Sequence, residues 1–232
     1  LMEEKELRME RIRLSEGVIV NEQFLRGNHP IVIPAKTNCR ILIDQGYLTT
    51  AYPILKTGGG KNAEIKLSYA ESLYFSDGSK GNRDQIEGKK FRGNYDLFIP
   101  DGDKERIFSP LWFRTYRYLQ LEITTKNDPL TVFDLLGSFT AYPLVEKAKF
   151  ISDDIRLKKI WDTSWRTARL CAGEIYYDCP YYEQMQYVGD TRIQSLISLY
   201  VSGDDRVMRN AIELYDVSRI PDGLTQSRYP AS

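Results

Sequence analysis

The sequence predicts a β + α chain in two parts: an antiparallel β-sandwich over residues 1–145, then the opening helices of a larger helical domain over residues 146–232. Three observations carry this. Before residue 145, apolar residues alternate with polar ones in short runs, the period of a half-buried strand. Gly, Pro, Asn and Asp clusters punctuate those runs. Near residue 150 the period changes to steps of three and four, the spacing of one helix face.

The strands come first. Cys39, Ile41 and Ile43 alternate with Arg40, Leu42 and Asp44, and the run ends at Gln45-Gly46. Ile65, Leu67 and Tyr69 alternate with Glu64, Lys66 and Ser68. Leu119, Leu121 and Ile123 share one face, with Gln120, Glu122 and Thr124 on the other. Gly58-Gly59-Gly60, Ser76-Asp77-Gly78, Pro100-Asp101-Gly102 and Asn127-Asp128-Pro129 supply the turns. The glycine triplet lacks the Lys-Ser/Thr and the following helix of a phosphate loop, so it reads as a hairpin turn. Tyr95, Phe98, Phe108, Trp112, Phe113, Tyr116 and Tyr118 form a dense aromatic set. Rings favour strands, so core and sheet-face packing is expected ahead of a sugar-binding face. Arg114 and Arg117 are expected to stack on these rings or pair with acids.

The helices follow. Leu157, Ile160, Trp161, Ser164, Trp165, Ala168, Cys171 and Ala172 mark one buried stripe, with Ser152 as N-cap, Asp153 and Asp154 in the first turn, and Gly173 as the stop. Ile193, Leu196, Ile197, Tyr200 and Val201 mark a second helix ending at Gly203, with Asp190 read as its cap. Asp204 or Asp205 opens a third, carrying Val207, Met208, Ala211, Ile212 and Tyr215. Three helices do not close a domain, because each stripe needs neighbours. These residues are therefore expected to be a fragment, and inactive alone.

Composition narrows the function. Lys+Arg and Asp+Glu are equal at 32 each in 232 residues, for a net charge of +0, which argues against a nucleic-acid partner. No apolar run approaches the ~20 residues of a membrane helix. No signal peptide opens the chain, but its first residues read as an internal cut, so export stays open. A periplasmic or secreted setting is expected ahead of a cytoplasmic one. Cys39, Cys171 and Cys179 are too few for a disulfide framework, and His29 is the single histidine, which removes His-based triads and multi-His metal sites. No cofactor or metal is expected. Chemistry falls to carboxylates and tyrosines.

They concentrate between the first two helices, in Tyr177-Asp178-Cys179-Pro180-Tyr181-Tyr182-Glu183-Gln184-Met185-Gln186-Tyr187-Val188-Gly189-Asp190. Glycoside hydrolysis takes two carboxyl groups, one protonating the leaving oxygen and one activating water or attacking carbon. Glu183, among Tyr181, Tyr182, Met185 and Tyr187 and with Asp178 close in sequence, is the candidate acid. Asp178 can accept hydrogen bonds from sugar hydroxyls, and Tyr187 can form a stacking wall. Cys179, before Pro180 and with no cationic neighbour in sequence, reads as a small buried spacer. Glu174 is expected to be solvated.

At these residues the sequence resembles the bacterial α-L-rhamnosidases, glycoside hydrolase family seventy-eight. That family carries a loop Asp-Cys-Pro-x-Arg-x-Glu-Arg-x-Gly-Trp-x-Gly-Asp at the start of an (α/α)6 barrel. Asp178-Cys179-Pro180 and Gly189-Asp190 match its ends. Tyr69-Ala70-Glu71, Asp77-Gly78, Asn82-Arg83, Arg114-Thr115-Tyr116-Arg117-Tyr118, Asp222-Gly223-Leu224 and Ser227-Arg228-Tyr229-Pro230 look like further parts of it. The resemblance implies an inverting glycosidase acting on a rhamnose-containing glycoside or polysaccharide. Glu183 would match the general acid, Asp178 would bind sugar hydroxyls, Tyr187 would take the place of the tryptophan, and Asp190 would match the closing acid. The general base would be a glutamate beyond residue 232.

The loop here is one residue shorter between Pro180 and the acid. Alignment from the left would put Gln184 on the acid position; alignment from the right puts Glu183 there and also matches Gly189-Asp190. Tyr182 and Gln184 stand where the family has arginines. The alternative reading is a carbohydrate-binding protein whose catalytic loop has degenerated. A third takes residues 1–145 as a sugar-binding module, behind a role for them in supporting the barrel.

Overall fold

The computed structural model describes residues 2–230. Lys5–Phe139 form one compact unit, and the residues flanking them form a second.

The first unit is built on strands β1 (Glu3–Leu7), β2 (Arg11–Glu16), β3 (Ile31–Ile33), β4 (Asn38–Gly59), β5 (Glu64–Ala70), β6 (Asn94–Phe98), β7 (Arg106–Phe108), β8 (Arg114–Thr124) and β9 (Leu130–Ala141). They form one mostly antiparallel nine-stranded sheet in the order β1-β9-β4-β8-β5-β6, with β2 and β7 on β4 and β3 on β9. The strands expected as a sandwich are joined because the 22-residue β4 belongs to two ladders. Its first half pairs with β2 and β8, and its second half with β9 and β7. The core draws on both ladder groups. Ile41, Ile43, Ile65, Leu67, Leu121 and Ile123 come from the first, and Leu55, Leu130, Val132 and Leu135 from the second. Burying that much branched apolar surface is the main favourable term for the unit.

The alternating residues of β4, β5 and β8 point inward as the period requires, with Ile41, Ile43, Ile65 and Leu121 fully buried. The glycine triplet is a turn, but the expected hairpin is not formed. β4 and β5 flank it and pair with other strands, so the turn passes the chain from one ladder group to the other. The aromatics divide. Tyr116 and Tyr118 are buried and Phe98 stacks on Phe108 at 5.1 Å, while Tyr95 and Trp112 are exposed. Arg114 pairs with Asp96 and lies over the Tyr69 ring; Arg117 pairs with Asp44 and Asp84 and lies over Tyr118.

The second unit carries helices α1 (Ile155–Leu170), α2 (Val188–Ser202) and α3 (Arg206–Val217). Tyr142, Leu144, Trp165, Ala172, Tyr176 and Val207 make its small core. Asp154, not Ser152, caps α1, accepting from the Arg156 amide at 2.9 Å; Ser152 Oγ instead accepts from the Asp154 amide. Gly203 ends α2 in the left-handed region at φ 68°, where a β-carbon would be strained. Asp205 is at the cap position of α3, but it is Asp204 Oδ1 that accepts from the Arg206 amide.

Two helix faces differ from expectation. In α1 only Leu170 is fully buried, and Leu157 and Ile160 are exposed. In α2 the buried side is Thr191, Ser195, Ser198, Val201 and Ser202, while Ile193, Leu196 and Tyr200 are exposed. Small hydroxyl residues let α2 approach the tyrosines closely, and Tyr176 Oη donates to Ser198 Oγ at 2.9 Å. Of the apolar stripe expected for α2, only Val201 lies on this buried side. Among the described residues, no helix is long and apolar enough to cross a membrane.

Candidate active site

The tyrosine-rich loop leaves α1 through a tight turn. Tyr177 N donates to Cys171 O at 2.8 Å, and Gly173 N donates to Ile175 O at 2.9 Å. A β-carbon on Gly173 would stand 2.2 Å from the Tyr177 hydroxyl oxygen, so this glycine is required for close packing, not as the helix stop. From α2, Gln194 Nε2 donates to Tyr177 O at 2.6 Å and ties the loop's start to the next helix.

Asp178 and Met185 close the loop across its base. The Met185 amide donates to Asp178 Oδ1 at 2.9 Å, and the Asp178 amide donates to Met185 O at 2.9 Å. Between them the chain turns at Tyr181–Gln184. The Glu183 amide donates to Cys179 Sγ at 3.4 Å, and Gln184 Nε2 donates to Pro180 O at 2.8 Å. Gln184 takes φ 54°, a left-handed turn position, which suits an amide side chain that bonds back to the loop. Cys179 is thus half-buried and caps a turn, more than the spacer expected of it.

Asp178 and Asp190 line one cleft of about 360 Å³ with Cys171, Gln194, Thr163, Thr167 and the apolar Ile193 and Ile197. Asp190 does not cap α2. Tyr187 holds the cap position, and Asp190 lies in the first turn, where a negative charge suits the helix dipole. Burial, reinforced by the negative potential of Cys179, Asp178 and Asp190, pushes the Cys171 thiol up to about 11. It stays protonated near neutral pH, which removes it as a nucleophile. Among the described residues, no group of three His, Cys, Asp or Glu side chains is placed to hold a metal ion.

Glu183 and Tyr187 do not line that cleft; they meet each other. Glu183 is exposed, and the Tyr187 hydroxyl donates to its Oε2. The hydrogen bond to Glu183 raises the Tyr187 hydroxyl above its ordinary value, while Arg228 works against this. Arg228 Nη1 donates to the same hydroxyl oxygen at 3.2 Å and reaches Met185 Sδ at 3.6 Å. Glu174 is exposed, as expected. Sequence reasoning missed Arg228 and Gln194, whose partners lie 41 and 17 residues away. Arg228 had a signal, since Ser227-Arg228-Tyr229-Pro230 was already conspicuous, but its contact could not be read from spacing.

Residues 145–232 match the family profile of the bacterial alpha-L-rhamnosidase 6 hairpin glycosidase domain. The resemblance to the α-L-rhamnosidases is borne out. The solved structures that resemble the chain agree. A family seventy-eight rhamnosidase of Bacillus sp. GL1 aligns at TM-score 0.75 and 23% identity over 91% of this chain and 22% of its own. A Klebsiella oxytoca rhamnosidase with rhamnose bound aligns at 0.77 and 14% over 98% and 47%. A Streptomyces avermitilis α-L-rhamnosidase complexed with L-rhamnose aligns at 0.67 and 18% over 98% and 20%. At these identities the likeness is one of fold. The chain spans from about a fifth to about half the length of these rhamnosidases. A comparison with curated proteins gave no match.

Proposed function

We propose that this chain is part of an inverting glycoside hydrolase that releases terminal α-L-rhamnose, with Glu183 as the general acid. The observation that carries the reading is the loop itself. One short segment sets two carboxylates, Asp178 and Asp190, on a single cleft and ties a third, Glu183, to Tyr187. The rhamnosidase profile over residues 145–232 and the rhamnose held by two of the similar structures supply the substrate class.

In this reading Asp178 and Asp190 accept hydrogen bonds from sugar hydroxyls. Asp178 is well suited, because one oxygen is fixed by the Met185 amide and the other remains free to accept. Glu183 delivers a proton to the leaving oxygen as the glycosidic bond breaks and is left as a carboxylate. A second carboxylate, from outside these residues, takes a proton from the attacking water and completes the inversion. Tyr187 acts on Glu183 instead of stacking on the sugar. Residues 1–145 support the helical domain that residues 146–232 open, and that domain is an (α/α)6 barrel.

The test is stereochemical. The full-length protein is incubated with an aryl α-L-rhamnoside and the first-formed anomer is followed by proton NMR. Initial release of β-L-rhamnose is expected. Initial release of the α-anomer would contradict the inverting mechanism, and no release from any α-L-rhamnoside would contradict the substrate class.

A further inference from the structure

The strap at residues 227–229 holds one cation where the loop chemistry needs it. Val188 N donates to Ser227 O at 3.0 Å, and Tyr229 N donates to Gln186 O at 3.1 Å. Gln186 Nε2 donates to Tyr229 O at 2.5 Å, and Tyr187 and Arg228 face each other in an antiparallel bridge. This register, set by backbone bonds and one buried glutamine, puts Arg228 across from Tyr187.

We propose that Arg228 is a positioning residue for Glu183: it fixes the direction of the Tyr187 hydroxyl and commits that hydroxyl's proton to the carboxyl group. Guanidinium carries donors and no acceptor. With Arg228 Nη1 donating to the Tyr187 oxygen at 3.2 Å, that oxygen must accept, and its one proton is left for Glu183 Oε2 or for Met185 Sδ at 3.8 Å, of which the carboxylate is the stronger acceptor. The contact to Met185 Sδ and the guanidinium's place 5.9 Å from the Tyr187 ring centroid hold the arginine in this pose. An exposed glutamate otherwise samples several rotamers. Anchoring Oε2 leaves Oε1 as the oxygen that presents a proton. Tyr187 keeps its own proton throughout; it donates a hydrogen bond and transfers nothing.

The relay needs a side chain that donates and accepts at one atom. A phenol does both, whereas the indole of the tryptophan found here in the resembling loop donates only. Tyr187 on the loop meets the Glu183 carboxyl directly, and Arg228 on the strap stands behind Tyr187. The catalytic consequence rests on the reading of Glu183 as the acid; the hydrogen-bond relay does not.

The experiment has two arms. In the first, the carboxyl carbons of glutamate are ¹³C-labelled in the chain as it stands and their NMR shifts are read at neutral pH, with Glu183→Gln assigning the signal. Tyr187→Phe removes the donor to Glu183 Oε2 and should move the Glu183 carboxyl signal, and Arg228→Met should move it in the same direction. Arg228→Lys, which keeps a donor, should return it toward the parent. An unchanged Glu183 carboxyl signal in Arg228→Met, with the amide spectrum intact, overturns the proposal. In the second arm the full-length protein is assayed. Arg228→Met should lower kcat roughly tenfold, the scale of one hydrogen bond to a charged group, with little change in KM. Full activity in Arg228→Met beside a dead Glu183→Gln overturns the positioning role alone. An active Glu183→Gln overturns the acid reading, and the carboxyl signal still decides the relay.

Discussion

Asp44 has no exposed side-chain surface, yet four groups donate to it or pair with it. The Gly46 amide lies at 2.8 Å, Arg13 at 2.9 Å, Arg117 at 3.0 Å and Arg11 at 3.4 Å. Burial pushes its pKa up, but the Arg117 hydrogen bond, the Gly46 amide and Arg13 outweigh that, so the net shift is downward. A folded-state pKa held below the unfolded value gives stabilisation that is present above the unfolded value. It is lost as pH falls through the folded one. Urea midpoints should therefore decline below about pH 4, where free aspartate titrates, and Asp44→Asn should flatten that decline. Asp44→Ala leaves three arginines around a void and should cost about 3 kcal/mol in urea unfolding at neutral pH. A cost within ~0.5 kcal/mol, the range of ordinary surface changes, would contradict this account of the cluster. In the sequence Asp44 reads only as the polar half of an alternation. Its partners come from β2 and β8, and pairing partners are not written in local pattern. Glu183, Asp178 and Tyr187 were legible as a group because one loop carries them all. The Tyr187–Glu183 bond follows from a turn at Gln184 that spacing does not reveal.

At the scale of elements, the strands that alternate cleanly were readable, and the charged ones were not. β5 shows its period because one side faces the core and the other faces partial solvent. β1 and β2, Glu3–Leu7 and Arg11–Glu16, are rich in charge and are not among the runs singled out from the sequence. They are strands because the sheet offers ladder partners, and tertiary context overrides propensity. The helices were readable in position, and α3 buries Val207 and Ala211 of its apolar stripe, but α1 and α2 differ in the face they bury. The apolar stripe of α2 predicts a core side, whereas the hydroxyl side is the one that is buried, with Ser198 bonded to Tyr176. Exposed Leu157, Ile160, Ile193 and Leu196 are then surplus to this core. Replacing all four by Gln should reduce binding of a hydrophobic dye and self-association in the ultracentrifuge. Stability should stay within about 0.5 kcal/mol per site, as for surface positions. A loss above ~2 kcal/mol per site would show that these side chains are buried.

At the scale of the whole molecule, the chain divides into a strand unit and a helical unit, and the chemistry-bearing loop lies wholly in the second. The rhamnosidase profile falls on the same residues, 145–232. Among the described residues, nine strands and three helices supply one proposed acid and two proposed sugar ligands, while inversion takes a second carboxylate. The 232 residues by themselves are accordingly expected to show no turnover of α-L-rhamnosides, and measurable turnover would contradict the placement of that second carboxylate outside them. The central claim is that Glu183 gives a proton to the leaving oxygen. Glu183→Gln in the full-length protein, assayed on an aryl α-L-rhamnoside with a poor leaving group, tests it most directly. The account predicts a fall in kcat of ~10²–10⁴-fold, the worth of a general acid, with most of the loss absent on a substrate whose leaving group departs without protonation. Turnover close to that of the unmodified protein on the poor leaving group would contradict it.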